Sequence, residues 1–343
     1  MKEHNIAIVG ATGLVGRNML KTVEERNFPV GTIRLFASKK SAGSYLLFRG
    51  KRVLVEDLFS SNLNGTDIAL FSAGSEVSKK IVPLFVHNGA VVIDNSSHFR
   101  LSPEVPLIVP EVNGDMIKKN RGIIANPNCS TIQLVLVLAP LHKRFKIKRV
   151  VVSTYQSVSG KGYKAVKELE TQSKEFLETF HPYGSYDRTL YIRYRSKSSV
   201  FPYPIGFNLL PQIGTFGDNG YTLEEEKLIK ETQKIIGSKL KITATAVRVP
   251  VFYSHSESVN IEFVHPFTIK GCKEILRSSP GVLLYEQNYP IPLYMYERDE
   301  VAVGRIRRDD SVPNGINLWI VTDNIRKGAA LNAVQIAEEL ING

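Results

Sequence analysis

Two cysteines, Cys129 and Cys272, are all that 343 residues contain. That excludes a disulfide framework or a zinc site built on cysteine, and it makes a lone thiol in an intracellular chain a candidate nucleophile. Long hydrophobic runs are missing too. The most apolar one, residues 134–138 with a weak extension to Leu141, falls far short of the roughly 20 residues that span a bilayer. The N-terminus passes from Met1-Lys2-Glu3-His4-Asn5 straight into a β-like run. No charged-then-apolar leader precedes it, so a cytoplasmic protein is expected. The net charge of +11 invites a nucleic-acid or membrane partner, but no ladder of stacking aromatics accompanies it. Lysine and arginine are scattered, and the densest groups, residues 146–149 and 305–308, are broken by apolar residues in strand-like settings. Solvated surface is the expected reading, with neither nucleic acid nor membrane as partner.

What is present is a globular composition in a chain too long for one ordinary core, so two domains are expected. Residues 5–9 read as a short buried strand closed by glycine. A helical pattern follows over residues 17–26, then strands at 33–36, 67–71 and 91–93, with a helix-like stretch at 78–88 between the last two. Strand, helix, strand at this spacing signals a parallel sheet with crossover helices. After an apolar helix at 131–142 the strands lengthen and alternate, at 148–155, 240–250, 257–264 and 300–307. Helices there are fewer, at 163–179, 223–236 and 269–278. The expected fold class is α/β: a Rossmann-like dinucleotide-binding domain over residues 1–126, then an α+β catalytic and dimerisation domain over 127–324. A helix at 327–341, within a closing segment 325–343, packs back on the first domain.

Gly10-Ala11-Thr12-Gly13-Leu14-Val15-Gly16 sits between the first strand and its helix, the context that gives a glycine motif meaning. Glycines allow a tight turn, close backbone approach to a pyrophosphate, and close helix–strand packing, while the helix N-terminus offers free N–H groups to the anion. The spacing departs from G-x-G-x-x-G, and a plain strand–helix turn stays open as the alternative. The end of the second strand also lacks something. An NAD site places an acidic residue there for the ribose 2′-hydroxyl, whereas this chain has Ala37-Ser38-Lys39-Lys40-Ser41. Two lysines and two serines suit a 2′-phosphate, so NADP is the expected cofactor, against the alternative of an exposed basic loop.

Ala125-Asn126-Pro127-Asn128-Cys129-Ser130-Thr131 precedes the apolar helix. Pro127 ends the strand, Ser130 or Thr131 is placed to cap the helix, and Cys129 lies at or just before its N-terminus. There the dipole favours thiolate, and nearby N–H groups can stabilise an oxyanion. Free cysteines are often merely buried, but seldom in so polar a turn. Cys272, on an amphipathic helix, reads as packing. Glu224 and Lys227, three apart on a predicted helix, share a face; a surface ion pair is the plainer alternative.

The glycine loop, the run from Gly122 to Gln133 around Asn-Pro-Asn-Cys-Ser-Thr, Ser153-Thr-Tyr-Gln-Ser-Val-Ser-Gly160, Arg248-Val-Pro-Val, Ser254-His-Ser-Glu257 and the terminal Gly328-Ala-Ala-Leu-Asn-Ala-Val-Gln-Ile-Ala337 helix together resemble the aspartate-semialdehyde dehydrogenase family over nearly the whole chain. The resemblance implies a glyceraldehyde-3-phosphate-dehydrogenase-like fold and a homodimer or homotetramer. It implies NADPH-dependent conversion of L-aspartyl-4-phosphate to aspartate 4-semialdehyde and phosphate, on the way to lysine, threonine, methionine and diaminopimelate. It also implies roles: Cys129 as nucleophile, Gln156 orienting it and His255 as acid/base. Arg100, Lys227 and Asn128 hold the phosphate, Glu224 lies near the ammonium, and Arg248 clamps the α-carboxylate. Thr12 to Val15 (with Gly13 and Leu14), Lys40, Ser41, Ser159, Gly160 and Asn324 fall to the cofactor, beside Gly10 and Ser38. Lys161 departs from the family, which usually has a small residue there. The competing readings are another acyl-phosphate reductase, such as N-acetyl-γ-glutamyl-phosphate reductase, and a non-catalytic dinucleotide-sensing regulator.

Overall fold

The computed structural model describes residues 2–180, 196–237 and 239–342. Among these residues the strands form two sheets. The first has seven strands in the order β3-β4-β2-β1-β5-β6-β7. They are β1 (His4–Val9), β2 (Val30–Ala37), β3 (Tyr45–Phe48), β4 (Lys51–Asp57), β5 (Ile68–Phe71), β6 (Val91–Asp94) and β7 (Ile123–Ala125). All neighbours pair in parallel except β3 with β4. β5 is buried along its length, as expected where crossover helices cover both faces.

The β3–β4 hairpin was not anticipated from sequence, and its turn explains why. Phe48 pairs with Lys51, leaving a two-residue loop of Arg49 and Gly50. Both have positive φ, 49° and 73°, the geometry that matches the twist of paired strands. An arginine at the first position does not announce such a turn.

The second sheet has six strands in the order β11-β12-β13-β10-β8-β9: β8 (Ile147–Gln156), β9 (Lys241–Arg248), β10 (His255–Phe263), β11 (Val282–Leu284), β12 (Val301–Asp309) and β13 (Gly315–Thr322). Most pairs are antiparallel; β8–β9 and β11–β12 are parallel. The predicted strands end close to the observed ones, but β13 was missed although it lies between β12 and β10. Its apolar, β-branched run behind Pro313-Asn314-Gly315 carried a legible strand signal.

The helix Cys129–Phe145 runs through the second core. Leu134, Val135, Val137, Leu138 and Leu141 are fully buried, and they join Val150, Val152, Ile261 and Ile320 of the sheet in one cluster. A helix apolar on every side is a core helix, each such side chain contributing roughly 1.5–3 kcal/mol by leaving water. Cys272 is buried in the same cluster, as expected of a packing residue. The terminal helix does not start at Lys327: a π-turn over Arg326–Ala330 precedes Leu331–Asn342. Ala333, Val334, Ile336 and Ala337 pack into the first core beside Ile6, Met19 and Leu70. No helix among the described residues is long and apolar enough to cross a membrane.

Candidate active site

A cleft of about 580 Å³ opens between the glycine loop and the start of the helix Cys129–Phe145. Gly13, Leu14 and Val15 line one side, and Asn128, Cys129, Ser159, Gly160 and Asn324 line the other.

The first side is backbone. Gly10 has φ +84°, and a Cβ built there would lie 2.3 Å from the Ser72 carbonyl oxygen. At Gly16 it would lie 2.2 Å from the Gly10 oxygen. These two glycines therefore cannot carry a side chain without moving backbone. The helix Leu14–Glu25 begins at Gly13 with no side-chain cap, which leaves its first N–H groups for an anion. Thr12 lies in the loop, its carbonyl accepting from Arg17 Nε at 3.1 Å. Ser72 and Gly74, after β5, also line the cleft. Neither was expected from sequence, although a buried strand, a glycine and a helix repeat the pattern of the first loop. This uncapped, glycine-built cradle fits a dinucleotide pyrophosphate.

Ser38, Lys39 and Lys40 are exposed just beyond β2, in a turn where the Ser38 carbonyl accepts from Ser41 N at 2.8 Å. Gly10 N and Ala11 N donate to the Phe36 carbonyl, so this turn adjoins the glycine loop. None of Ser38, Lys40 and Ser41 lines the cleft itself.

The second side is built from side chains. Cys129 is the first residue of its helix, and the cap is Asn128, whose Oδ1 accepts from Ser130 N at 2.9 Å. That corrects the expectation that Ser130 or Thr131 caps. Both lie inside the helix, with buried hydroxyls that have no partner among the described residues. The thiol also differs from expectation. Loss of water, and then the Glu224 charge, push it up to about 12, although Arg100 and Arg248 pull it down. At this helix terminus the dipole is thus a smaller effect than desolvation, even though the side chain is only half-buried. From the π-turn, a Cβ on Gly328 would stand 3.0 Å from the Cys129 Cβ. Beside it, buried Lys327 holds the turn to Glu111 at 2.8 Å.

Glu224 gathers three predicted residues. It accepts from Asn128 Nδ2 at 2.8 Å and Gln156 Nε2 at 3.3 Å, and its other oxygen lies 3.9 Å from Lys227 Nζ. Glu224, Lys227, Gln156, Arg248 and His255 all stay behind the residues that line the cleft. Gln156 ends β8 opposite Arg248 at the end of β9. Arg248 is buried and donates to the Ser157 carbonyl at 2.6 Å; burial lowers its pKa, with Glu224 and Cys129 pulling the other way. His255 opens β10 and is fully buried. Gly160 sits over both, for a Cβ there would be 3.2 Å from His255 Nε2 and 3.3 Å from Arg248 Nη1. Asn324 Oδ1 accepts from Ser157 Oγ, Ser159 Oγ and Ser254 N, tying the loop after β8 to the start of β10.

Glu231 was not foreseen. Fully buried, it accepts from Arg100 Nη1 at 3.1 Å and from Asn128 N at 2.7 Å, so one carboxylate holds both Arg100 and the residue before Cys129. Arg100 also donates to the Asn95 carbonyl at 2.7 Å, and its Nε is buried without a partner among the described residues. Spacing carried the clue to Glu231: it lies seven residues past Glu224 (231 − 224) and four past Lys227 (231 − 227), on the same helical face.

Residues 5–120 match the family model described as the semialdehyde dehydrogenase NAD binding domain, and residues 138–327 match the semialdehyde dehydrogenase dimerisation domain. Aspartate-semialdehyde dehydrogenase of Aquifex aeolicus is 50% identical over 98% of each chain. The enzyme of that name from Bacillus subtilis is 46% identical over 98% of this chain and 97% of its own. Among solved structures, aspartate semialdehyde dehydrogenase II of Vibrio cholerae, complexed with ASA, superposes with a TM-score of 0.94 at 44% identity, over 100% of this chain and 99% of its own.

Proposed function

From the premise that the chain belongs to the aspartate-semialdehyde dehydrogenase family, we propose that it reduces L-aspartyl-4-phosphate to L-aspartate 4-semialdehyde and phosphate, with NADPH as the hydride source. The observation that carries this reading is one cleft that holds a glycine-built cradle and a cysteine at a helix N-terminus, with charges of both signs acting on that cysteine from the cleft and from behind it. The substrate bears a carboxylate, an ammonium and a phosphate, and so needs that mixture. We divide the chain into a cofactor domain, residues 1–126 completed by 325–343, and a catalytic and dimerisation domain over 127–324 that pairs two copies. A cytoplasmic homodimer is the assembly proposed.

Cys129 attacks the acyl carbon and expels phosphate, giving a thioester. Asn128, at the same helix start, and Arg100, held by Glu231, receive the phosphate, with Lys227 at the rim. Arg248 presents a planar fork that grips the α-carboxylate bidentately, while Glu224 faces the ammonium. Gln156, tied to Glu224 at the end of β8, keeps the thiol's surroundings in register. His255 handles the proton on the substrate oxygen. The cofactor supplies a hydride. Gly10, Thr12, Gly13, Leu14 and Val15 hold its pyrophosphate end, Ser38, Lys40 and Ser41 its 2′-phosphate, and Ser159, Gly160 and Asn324 the side towards Cys129.

The test is phosphate-dependent reduction of NADP and of NAD with aspartate semialdehyde, beside a longer aldehyde and one lacking the α-amino-acid group. Phosphate-dependent turnover with NADP, specific for aspartate semialdehyde, is expected. Equal rates with the aldehyde that lacks the α-amino and carboxylate groups overturn the substrate assignment.

A further inference from the structure

Lys327 is a fully buried lysine that does not line the cleft, although its neighbours Gly328 and Ala329 in the π-turn do. Its Nζ donates to both Glu111 oxygens at 2.8 and 2.9 Å, to Gln335 Oε1 at 2.7 Å and to Asn332 Oδ1 at 3.1 Å. Burial lowers its pKa, while Glu111 and Asp299 pull the other way. Paired with a carboxylate it is an ammonium, and an ammonium donates but cannot accept.

That one-way chemistry passes along a chain of amides. Asn332 must turn its oxygen to Lys327, so its amide nitrogen faces the other way. The nitrogen donates to Asn126 Oδ1 at 2.6 Å and to the Ile108 carbonyl at 3.0 Å. Asn126 is fixed in turn: with its oxygen on Asn332, its nitrogen donates to the Ala329 carbonyl at 3.1 Å and to Asn95 Oδ1. Asn126 lies three residues before Cys129 (129 − 126). Ala329 follows Gly328, where a Cβ would stand 3.0 Å from the Cys129 Cβ and 3.4 Å from its Cα. The near end of the π-turn is tied separately, for the Asp323 carbonyl accepts from Gly328 N at 3.0 Å. Such turns are rare and gather at functional sites.

We propose that Lys327 is a positioning residue for Cys129: through Asn332 and Asn126 its ammonium sets the direction of the amide chain that ties the π-turn to the turn before the cysteine, and so holds Gly328 against the carbon that bears the sulfur. What that position serves rests on the reductase reading above; the position itself does not. The turn keeps water from one side of Cys129 and adds to its desolvation. The charges acting on the thiol stand on other elements: Arg100 after β6, Glu224 on the helix Leu223–Ile236 and Arg248 on β9. With the tie cut, the turn draws back and water reaches the thiol, so its pKa falls towards the ordinary cysteine range. The sulfur is then less well placed for attack, which lowers kcat more than it raises KM.

The experiment is alkylation of Cys129 by iodoacetamide in the full-length protein without substrate or cofactor. Rates are followed from pH 6 to pH 10, and the label is read at Cys129 by peptide mass so that Cys272 does not interfere. Two variants cut the chain at different links. Lys327→Met with Glu111→Gln removes the cation and its counter-charge together, because methionine alone would leave a buried carboxylate unpaired. Asn332→Leu keeps the ion pair and removes the middle amide. In each, the rate profile is expected to move down by about one pH unit or more, roughly tenfold faster alkylation at pH 8. Combining both sets of changes is expected to add nothing, since they break one chain. A parent-like profile in variants that thermal melts show to be folded is what a merely structural lysine would give, and it overturns the proposal. Additive shifts in the combined variant overturn the route through Asn332. Should Lys327→Met with Glu111→Gln not fold, Asn332→Leu decides by itself. In turnover, kcat is expected to fall about tenfold or more while KM for aspartate semialdehyde changes less than about threefold; an unchanged kcat overturns the positioning role. Since alkylation needs no substrate, failure of the positioning and failure of the substrate reading are told apart.

Discussion

One wall of the cleft is backbone and the other is side chains. The backbone wall is the glycine loop, where Gly10 and Gly16 let backbone close on backbone and Gly13 faces the cleft. On the other side Arg100 and Asn128 line the cleft, backed by Gln156, Glu224, Glu231, Arg248 and His255, and two carboxylates of one helix fix the rest: Glu224 takes Asn128 and Gln156, Glu231 takes Arg100 and the Asn128 amide. The difference teaches how each wall fails. A backbone wall is broken by adding an atom. A side-chain wall is broken by removing a charge, because a buried partner is then left uncompensated.

The largest effect is expected on the side-chain wall. Cys129→Ser should lose turnover by roughly 10⁴-fold or more, with fold and cofactor binding kept, because a serine hydroxyl is a far weaker nucleophile than sulfur. Steady-state rates and NADPH titration check this, and appreciable residual activity would remove Cys129 as the nucleophile. On the backbone wall, Gly10→Ala meets the Ser72 carbonyl and a left-handed φ at once. It should cost roughly 2–4 kcal/mol of stability together with cofactor affinity, both read from thermal melts with and without NADP. If the alanine variant binds NADP normally, the comparison between the walls collapses.

Arg248→Lys keeps the charge but loses the fork. One ammonium cannot hold the Ser157 carbonyl and also grip a carboxylate in two places, so transition-state binding should fall by roughly 2–3 kcal/mol, or about 30- to 150-fold in kcat/KM. An aldehyde without the α-carboxylate should be far less affected. Normal handling of aspartate semialdehyde by this variant would sink the clamp.

Lys39→Ala with Lys40→Ala should raise KM for NADP roughly tenfold, on the scale of one charge-assisted bond, and leave NAD nearly unchanged. Equal effects on both cofactors would shift the selectivity to Ser38 and Ser41. The smallest effect concerns pH. Burial pushes the Glu257 carboxyl up to about 8, Gln133 lowering it only in part. Folded-state affinity for the proton is thus raised, so the protein binds more protons folded than unfolded, and this residue's contribution falls as pH rises from the ordinary carboxylate range towards 8. Glu257→Gln should therefore raise Tm more at pH 8 than at pH 5; a gain independent of pH would contradict the neutral buried acid.

Local pattern made the parallel sheet, the glycine loop, the Asn-Pro-Asn-Cys turn and the core helix legible, because each depends on residues near in sequence: periodicity of burial, backbone freedom at glycine, the stop imposed by Pro127. The sequence also carried Glu224 and Lys227 on one helical face. Only the tertiary structure decided what depends on distant neighbours. Desolvation pushes the Cys129 thiol up against the pull of its helix. Glu231 reaches Arg100 across 131 residues (231 − 100), and the Ser157 amide meets His255 across 98. Desolvation and long-range hydrogen bonding set those properties, and neither is a function of local sequence.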